Sequence, residues 1–444
     1  MTRELFKLKS CLNSCLNAMV RFLGCSILSL LFALQACDTA GTEGEYQGKV
    51  FIKLYGGRGS EVGRDLARLD DGGFVLVGSS TSFSDSATIL NRRDVFLVRT
   101  DVYGRELWSN SYTFGADAVG ESVIVDRNGD IVISGSVRTD TLVGGREVRD
   151  ILVLKINNSG ALIGSARFGS ADQNEYGTHV LEASTGGYLV TGTSESASGF
   201  DFFNVIRLNY DLSLVRENLI GDESSDHQSS VSIEVQGVPE LFLSFGTSTF
   251  TDNPSQRSGL SFFIIKYDAA TGIEKEPDAF GDARNNLGNM IAKALGQSQY
   301  LVAGYTEESP GRINARVERI SETGIQVNPF VSDWIWVDDR GNTRAEDVIL
   351  ADDGNVVVLA TIESVAQFRN EIEIIKLAPG SDAPNEVVWR SAFGSNEDDL
   401  GRRIVQLNDG GFAVVGTVGF EVNRPFSSSK MCLIRVNAQG ELIP

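Results

Sequence analysis

The chain has 444 residues, of which 42% are apolar, and its 39 basic and 59 acidic side chains give a formal net charge of −20. This composition excludes a globally disordered chain and leaves enough apolar residues for a sizeable core. The negative charge repels phosphate backbones, which argues against a nucleic-acid partner and leaves cationic ligands or metal ions compatible with the surface.

Residues 1–36 are predicted to be an export signal. Arg21 supplies a positive flank, and residues 22–34 form an apolar segment that is too short for a comfortable transmembrane helix. Residues 34–37, Leu-Gln-Ala-Cys, resemble the bacterial lipobox, in which the cysteine is lipidated and becomes the mature N-terminus. Gln35 departs from the small residue that is usual there, and an ordinary cleaved signal with a chance cysteine is the alternative.

The lipobox resemblance implies that Cys37 carries fatty acyl chains such as palmitate. It places the protein on a membrane of the bacterial cell envelope, with the outer membrane or the cell surface favoured. Met19 would begin a compact leader by itself, so residues 1–18 can be a misassigned start. Residues 37–47 are polar, contain glycine and lack apolar periodicity, which is typical of a flexible tether.

Cysteines do not predict a disulfide framework. Three of the five lie in the leader, which leaves Cys37 and Cys432. Cys432 stands in the apolar run MCLIRV and is predicted to be a small buried thiol.

From residue 48 onward the chain repeats one pattern seven times. The repeated segments are LDDGGFVLVG (69–78), VDRNGDIVISG (125–135), EASTGGYLVTG (182–192), VQGVPELFLSFG (235–246), ALGQSQYLVAG (294–304), LADDGNVVVLA (350–360) and LNDGGFAVVG (407–416). Their spacing gives a period of about 56 residues, and an aromatic-Gly pair begins most units.

Each unit contains four short apolar runs with strand character. A tight D/N-G turn separates the first two, a longer polar loop precedes the third, and another glycine turn precedes the fourth. Four-stranded units repeated seven times predict an all-β, seven-bladed β-propeller over residues 48–444. A linear β-solenoid is the alternative, but its coils are usually much shorter than this period.

The chain ends predict how the ring closes. The last unit stops soon after its third run, whereas an extra strand, GKVFIKLY (48–55), precedes the first unit. We expect this N-terminal strand to complete the last blade and so remove the open edges that a solenoid would have to cap.

The pattern YGG…DLARLDDGGFVLVGSS…DVFLVRTDVYGRELW resembles the propeller repeats of secreted and lipid-anchored bacterial proteins, including many from Bacteroidetes. The resemblance covers nearly all of residues 49–444 and implies a fold but no catalytic residues. The turn-plus-Trp segments at 101–108 and near Trp389 distantly resemble the tryptophan-docking repeats of quinone-dependent dehydrogenase propellers, although only two units carry that Trp.

The repeat predicts two unlike faces. Tight glycine turns occupy one, and the other receives long polar loops at 79–93, 136–149, 247–259 and 417–429, together with acidic crossings between blades. Carboxylates in these crossings would gather near the channel mouth as a rim for cationic ligands, with calcium compatible. The candidate rim residues are Asp117, Asp172, Asp222 and Asp398. The alternative is that such residues cap turns and begin strands.

Catalytic motifs are scarce. DRNGD (126–130) lacks the full calcium-loop pattern and is predicted to be a type I′ turn. His179 and His227 are the only histidines, and neither belongs to a recognised catalytic motif. A glycosidase-like carboxylate pair stays open as an alternative, and Trp334 and Trp336 could offer a sugar-stacking surface.

The predicted function is that of a lipid-anchored envelope propeller that binds a protein or a glycan through its loop-rich acidic face. No resident cofactor and no catalytic residue is predicted. The alternative is a propeller enzyme acting on carbohydrate, or an enzyme similar to quinone-dependent dehydrogenases.

Overall fold

A computed structural model of the chain describes residues 52–443, except for 84–91, 116, 144–145, 250–258, 282–284, 294–298, 323–329, 339, 341, 365–368, 379–385, 396 and 421–428. The predicted leader, Cys37 and the predicted tether lie outside the described residues. Among the residues that are described, no helix is long and apolar enough to cross a membrane.

The described residues form 28 β-strands and no helix. The first fourteen strands are β1 (Ile52–Tyr55), β2 (Glu61–Arg68), β3 (Phe74–Ser80), β4 (Asp94–Thr100), β5 (Glu106–Tyr112), β6 (Asp117–Val125), β7 (Ile131–Val143), β8 (Arg146–Ile156), β9 (Leu162–Phe168), β10 (Glu175–Glu182), β11 (Tyr188–Glu195), β12 (Asp201–Leu208), β13 (Leu214–Ile220) and β14 (His227–Glu234). The remaining fourteen are β15 (Leu241–Ser248), β16 (Ser261–Asp268), β17 (Ile273–Phe280), β18 (Asn285–Lys293), β19 (Gln299–Ser309), β20 (Arg312–Glu322), β21 (Phe330–Val337), β22 (Thr343–Leu350), β23 (Val356–Ser364), β24 (Arg369–Ala378), β25 (Glu386–Phe393), β26 (Asp398–Gln406), β27 (Phe412–Phe420) and β28 (Lys430–Val436).

These strands make seven four-stranded antiparallel sheets. Blades 1 to 6 each take four consecutive strands, from β2–β5 to β22–β25, and blade 7 has the order β26-β27-β28-β1. The first strand of every blade contacts the first strand of the next, and β26 of blade 7 likewise contacts β2 of blade 1. These inner strands therefore surround a common axis, and the predicted seven-bladed β-propeller is confirmed.

Strand β1 closes the ring as the sequence predicts. It pairs with β28 in the register Ile52↔Ile434 to Tyr55↔Met431. The Tyr55 side chain is buried, and its hydroxyl donates a hydrogen bond to the Gly104 carbonyl of blade 1 at 2.7 Å. The first described strand thus completes blade 7 and also binds it to blade 1.

The hydrophobic core lies between adjacent blades. At the junction of blades 7 and 1, for example, Leu76 and Phe96 pack with Val415 and Leu433 in one buried cluster. Cys432 is fully buried, as predicted, and burial raises the pKa of its thiol to about 12.

A basic side chain of the third strand ties the inner hairpin turn of its own blade. Lys376 contacts Asp353 at 2.6 Å and Arg435 contacts Asp409 at 2.6 Å, while Arg99 pairs with Asp71. In these units, the aspartate of the D-G turn and the basic residue of the third strand therefore form one ion pair.

The tryptophans of the fourth strands dock onto the next blade. Trp108 Nε1 donates to the Asn158 carbonyl at 3.2 Å, and Trp389 Nε1 donates to the Ala438 carbonyl at 3.1 Å. Both acceptors lie in the outer turn of the following blade, so these two residues hold neighbouring blades together.

Two local predictions were wrong. In the 126–130 turn only Gly129 has a positive φ, of 82°, so the turn is type I followed by a glycine bulge, whereas type I′ needs two such residues. Residues 136–149 are not simply a loop, because β7 and β8 extend into this segment and pair as far as Val143↔Arg146.

Candidate functional site

Every inner strand carries a β-bulge at the same place. The strand register shifts at each of these positions, and a bulge re-aims the extra side chain out of the sheet. We call the seven bulged residues the axial ring: Arg64, Glu121, Thr178, Ser230, Asn289, Glu346 and Arg402. All seven are partly exposed. Because their strands are the innermost ones, these side chains are the natural lining of the propeller axis.

Charge is concentrated in one arc of the axial ring. Glu346 of blade 6 contacts Arg402 of blade 7 at 3.2 Å, and Arg64 of blade 1 contacts Glu121 of blade 2 at 3.4 Å. Blades 7 and 1 are neighbours, so the order around the axis is acid, base, base, acid. Two guanidinium groups therefore stand side by side without an acidic ring residue between them.

The residues on the opposite side of the ring are uncharged, and two of them donate hydrogen bonds to backbone carbonyls. Thr178 donates to the Thr191 carbonyl at 3.2 Å, and Asn289 Nδ2 donates to the Ala345 carbonyl at 2.8 Å. The ring thus combines one charged side with one side of hydroxyl and amide groups.

One residue further along each inner strand, a second layer lies closer to the tight-turn face. Here Arg403 Nε stands 3.4 Å from Asp65 and 3.6 Å from Asp347, and Arg403 Nη1 lies 2.8 Å from Met290 Sδ. Met290 belongs to blade 5, two blades away from Arg403. The Arg403 guanidinium therefore extends toward the axis, on the tight-turn side of the axial ring.

Burial shifts the pKa values of the charged groups in this layer. Burial raises the pKa of Asp347 to about 6 and also raises that of Asp65, while Arg403 acts in the opposite direction on both. Burial opposes the charge of Arg403, but the two carboxylates outweigh it and raise its pKa. The cluster therefore contains two buried acids but only one base.

The two buried aspartates also accept hydrogen bonds from backbone groups of their own inner strand and of the next one. Asp65 accepts from the N–H groups of Leu66 at 2.8 Å and Val123 at 2.9 Å. Asp347 accepts from those of Val348 at 2.7 Å and Ile404 at 2.8 Å. Each carboxylate oxygen therefore holds a backbone donor, which accounts for these acids structurally.

Both histidines have comparable structural contacts. His179 occupies the same layer as Asp65, and its Nδ1 lies 3.5 Å from the Ser232 N–H of the next blade. Burial and the charge of Arg403 lower the pKa of His179 to about 3, so its ring is neutral. His227 is buried, with Nδ1 2.8 Å from Ser248 Oγ and its ring against Phe263. These contacts explain both histidines without a catalytic role.

The predicted rim residues do not form one cluster of free carboxylates. Asp117 is only 7% exposed and binds Arg93 at 2.5 Å and also Arg149. Burial raises the pKa of Asp117, but the two arginines outweigh this effect and leave it below the usual range. Asp117 is therefore not a free carboxylate that could form a rim for cationic ligands.

Asp117 and Asp398 belong to a repeated clamp between blades. In five blades the first residue of the inner strand, or the residue just before it, accepts through its side-chain oxygen a backbone N–H at or near the start of the preceding blade's third strand. The pairs are Asp117 with Arg93 at 3.0 Å, Asn174 with Arg149 at 3.1 Å, Asp226 with Asp201 at 3.1 Å, Asn285 with Leu260 at 3.0 Å and Asp398 with Asn370 at 2.7 Å. Because Asn serves as well as Asp, the clamp needs an acceptor rather than a charge.

The other two rim residues are more accessible. Asp222 is exposed and accepts from the Ser224 N–H at 2.7 Å, and hydrogen bonding from Ser224 lowers its pKa. Asp172 is exposed. Much of the long loops at 79–93, 247–259 and 417–429 lies outside the described residues. Across the described ranges, no group of three or more His, Cys, Asp or Glu residues could hold a metal ion.

A signal for the axial ring was present in the sequence. Glycine precedes the bulge in five of the seven units, and the backbone explains why. A Cβ on Gly63 would lie 2.4 Å from the Gly416 carbonyl oxygen, and one on Gly177 would lie 2.5 Å from that of Gly135. Blades touch at these glycines, so the residue following each of them marks the axis.

One buried position at the start of the inner strands allows a stability prediction. Glu175 Oε1 accepts from Ser170 N at 3.1 Å and Ser170 Oγ at 2.9 Å, but Oε2 has no hydrogen-bond partner within the described part of the chain. Burial, reinforced by Asp150 and Glu217, raises the pKa of Glu175 to about 7. A folded-state pKa above the unfolded value means that its contribution to stability is present at low pH and lost as pH rises through 7.

We expect Glu175→Gln to leave stability near pH 4.5 almost unchanged and to increase it at pH 8 by about 1–3 kcal/mol. Glu61 is the equivalent residue of blade 1, but it binds Lys430 at 2.6 Å and Ser80 at 3.0 Å. Glu61→Gln should therefore destabilise the protein at pH 8. Melting curves at both pH values test the pair, and a shift of the same sign in the two variants would contradict this account.

Comparisons with known proteins leave the family open. No family model matches the chain, and no curated protein matches it. Similar solved structures include Sqt1 from Chaetomium thermophilum, at 9% identity and TM-score 0.46, covering 88% of this chain and 84% of that one. A protein of unknown function from Dyadobacter fermentans, at 10% identity and TM-score 0.47, covers 88% and 99%.

An α-L-arabinofuranosidase, Arb93A from Fusarium graminearum, solved with an iminosugar inhibitor, is similar at 9% identity and TM-score 0.43, covering 71% and 92%. Likeness at this level carries no information on activity. The resemblance to lipid-anchored bacterial propeller repeats thus stays a prediction, whereas the propeller itself is established by its strand pairing.

Proposed function

We propose that the protein is a lipid-anchored propeller of the bacterial cell envelope that binds a protein or glycan through its loop-bearing face. The observation that carries this proposal is the difference between the two faces. Three-residue turns such as that at 126–130 occupy one face, whereas the connections from second to third strand project on the other. Long connections on a rigid scaffold are the usual place for ligand contacts.

Aromatic side chains on the loop-bearing face support a macromolecular ligand. Phe83, at the start of the connection after β3, is 45% exposed and stacks on Phe96 with ring centroids 5.4 Å apart. Tyr176, near the start of β10, is 42% exposed. Exposed rings that are already positioned lose little entropy on binding, which favours them as contacts for protein or sugar.

The carboxylates described above favour binding over glycoside hydrolysis. Asp65 and Asp347 both lie within 3.6 Å of one Arg403 nitrogen, so their nearest oxygens are no more than about 7 Å apart, which is compatible with a glycosidase pair. They are, however, buried and hold backbone N–H groups. Trp336 is only 2% exposed and offers no stacking surface, and the side chain of Trp334 lies outside the described residues.

Replacing Phe83 and Tyr176 together with Ser should weaken binding to the ligand by at least about tenfold, as expected for exposed aromatic anchors. The ligand would be isolated on the immobilised lipid-free protein and its affinity measured by surface plasmon resonance. Tyr103→Ser is the matched control, because Tyr103 is 57% exposed but belongs to a turn on the opposite face. Equal loss in both variants, or in neither, would contradict binding through the loop-bearing face.

The anchor is tested separately. Cys37→Ala should abolish incorporation of a labelled fatty acid and release the protein from the membrane fraction, since each buried acyl CH₂ contributes about 0.8 kcal/mol to membrane binding. Cys432→Ala is the control and should still be labelled. A Cys37→Ala protein that remains in the membrane fraction, beside an unlabelled wild type, would rule out the lipoprotein assignment.

A further inference from the structure

Along the inner strands, the axial ring lies between the loop-bearing face and Arg403. Inner strands begin at that face, the bulges follow within each strand, and Arg403 lies one residue deeper. The contact between Arg403 and Met290 crosses the space below the ring. A ligand group that enters from the loop-bearing face therefore contacts the axial ring before it reaches Arg403.

The two arginines in the charged arc of the axial ring are not fully engaged by their acidic partners and can bind an anion. Arg402 pairs with Glu346 and Arg64 pairs with Glu121, and the two arginines lie close enough that the charge of Arg402 acts on Arg64. Arg402 Nε is buried and has no hydrogen-bond partner among the residues that the structure describes. No contact in the described part of the structure accounts for this N–H donor.

Electrostatics at Arg64 agree with that geometry. Glu121 and, less strongly, Glu346 raise the pKa of Arg64, but burial and the positive charges of Arg402 and Arg93 outweigh them, so the pKa falls below the usual value. Positive potential between the two arginines is thus incompletely neutralised. The side chains of Arg64 and Arg402 are 30% and 29% exposed, so both are partly accessible to a ligand.

We propose that the charged arc of the axial ring binds a ligand carboxylate between Arg64 and Arg402. This inference rests on the proposed function and names the chemical group that the site would take. A planar carboxylate can accept from two guanidinium groups at once. A phosphate dianion is a poorer fit because Glu121, Glu346 and the buried Asp65 and Asp347 lie close by. A cationic group beside the ligand carboxylate would meet Glu121 or Glu346, so a zwitterion suits the arc.

The probe is trialanine with a free C-terminal carboxylate, titrated by calorimetry into the full-length mature protein in detergent. Its C-terminal amide, free alanine and inorganic phosphate are the comparison ligands. Titration to about 10 mM saturates a site with a Kd near 1 mM. We expect trialanine to bind at least tenfold more tightly than its amide and than phosphate. Free alanine binding as well as trialanine indicates a small-molecule ligand, and much weaker alanine binding indicates a peptide terminus.

The decisive variant removes one ion pair as a unit. Arg402→Gln with Glu346→Gln deletes both charges, leaves neither partner unpaired and should reduce trialanine affinity at least tenfold while the protein still melts cooperatively. Arg68→Gln, an exposed arginine on the tight-turn face, should bind like wild type. Unchanged affinity in the double variant, equal binding of acid and amide, or no binding by wild type would overturn the proposal.

Failure of the proposed function gives a different result. Phe83→Ser alone should leave trialanine binding unchanged, because Phe83 lies in the connection after β3 and stacks on Phe96, outside the inner strands. Trialanine binding without a macromolecular ligand on the loop-bearing face would retain the carboxylate site and refute the larger proposal.

Discussion

Deleting residues 38–55 is expected to lower the melting temperature by several degrees or to cause aggregation. The deletion removes β1, so the backbone of β28 from Met431 to Ile434 loses its pairing partner and becomes an open edge in a strand of buried apolar residues. It also removes the Tyr55 hydrogen bond that joins blade 7 to blade 1. Thermal melts and size-exclusion chromatography of the lipid-free protein measure the effect.

Deletion of residues 38–46 is the control, since it shortens the predicted tether and leaves β1 in place. It should melt like the intact lipid-free protein. If the two deletions proved equally stable, the pairing of β1 with β28 would contribute nothing to ring closure.

Arg403→Met is expected to destabilise the protein by about 3–5 kcal/mol at pH 7.5, because it leaves Asp65 and Asp347 buried without their cation. Chemical denaturation monitored by tryptophan fluorescence would measure the loss. Arg105→Met is the control, because the Arg105 side chain is 68% exposed beside Asp101 and its loss should cost less than about 1 kcal/mol.

The pH dependence identifies the cause. Burial already raises the pKa of Asp347 to about 6 in the presence of Arg403, which acts to lower it. Without Arg403 the folded-state pKa values of both aspartates should rise further above their unfolded values. The stability of the variant should then recover as pH falls from 8 toward 5 and protons neutralise the carboxylates. A deficit that stays constant from pH 8 to pH 5 would point to lost packing instead of unpaired charge.

The repeat made the fold predictable, because the same four runs recur with turn residues at fixed places. Closure by the N-terminal strand was also predictable, since the last unit lacks a fourth run and an unassigned strand precedes the first. The turn at 126–130 was mispredicted because one glycine with positive φ suffices for a type I turn with a bulge, and sequence alone did not separate the two geometries.

The candidate site was harder to predict, because its residues differ from unit to unit while the backbone that presents them does not. Arg64, Thr178 and Arg402 share a position but no side-chain chemistry, so an alignment of the repeats makes them look like variable residues. Acids in the crossings looked like a site because they recur. Recurrence at Asp117 and Asp398 instead reflects a clamp that is found at five of the junctions between blades.

The pairing of β1 with β28 also constrains the order of folding. β1 is made early in synthesis, yet its partner is the last strand of the chain, so blade 7 must assemble from residues at opposite ends of the sequence. Contacts of such long sequence separation form slowly, because a large loop must close before they contribute. Until then, blades 1 to 6 form an arc with unsealed ends, and the inner strand β2 lacks its neighbour β26. Ring closure should therefore be a late, rate-limiting step, and the open arc is the species in which the chain is most exposed to intermolecular association.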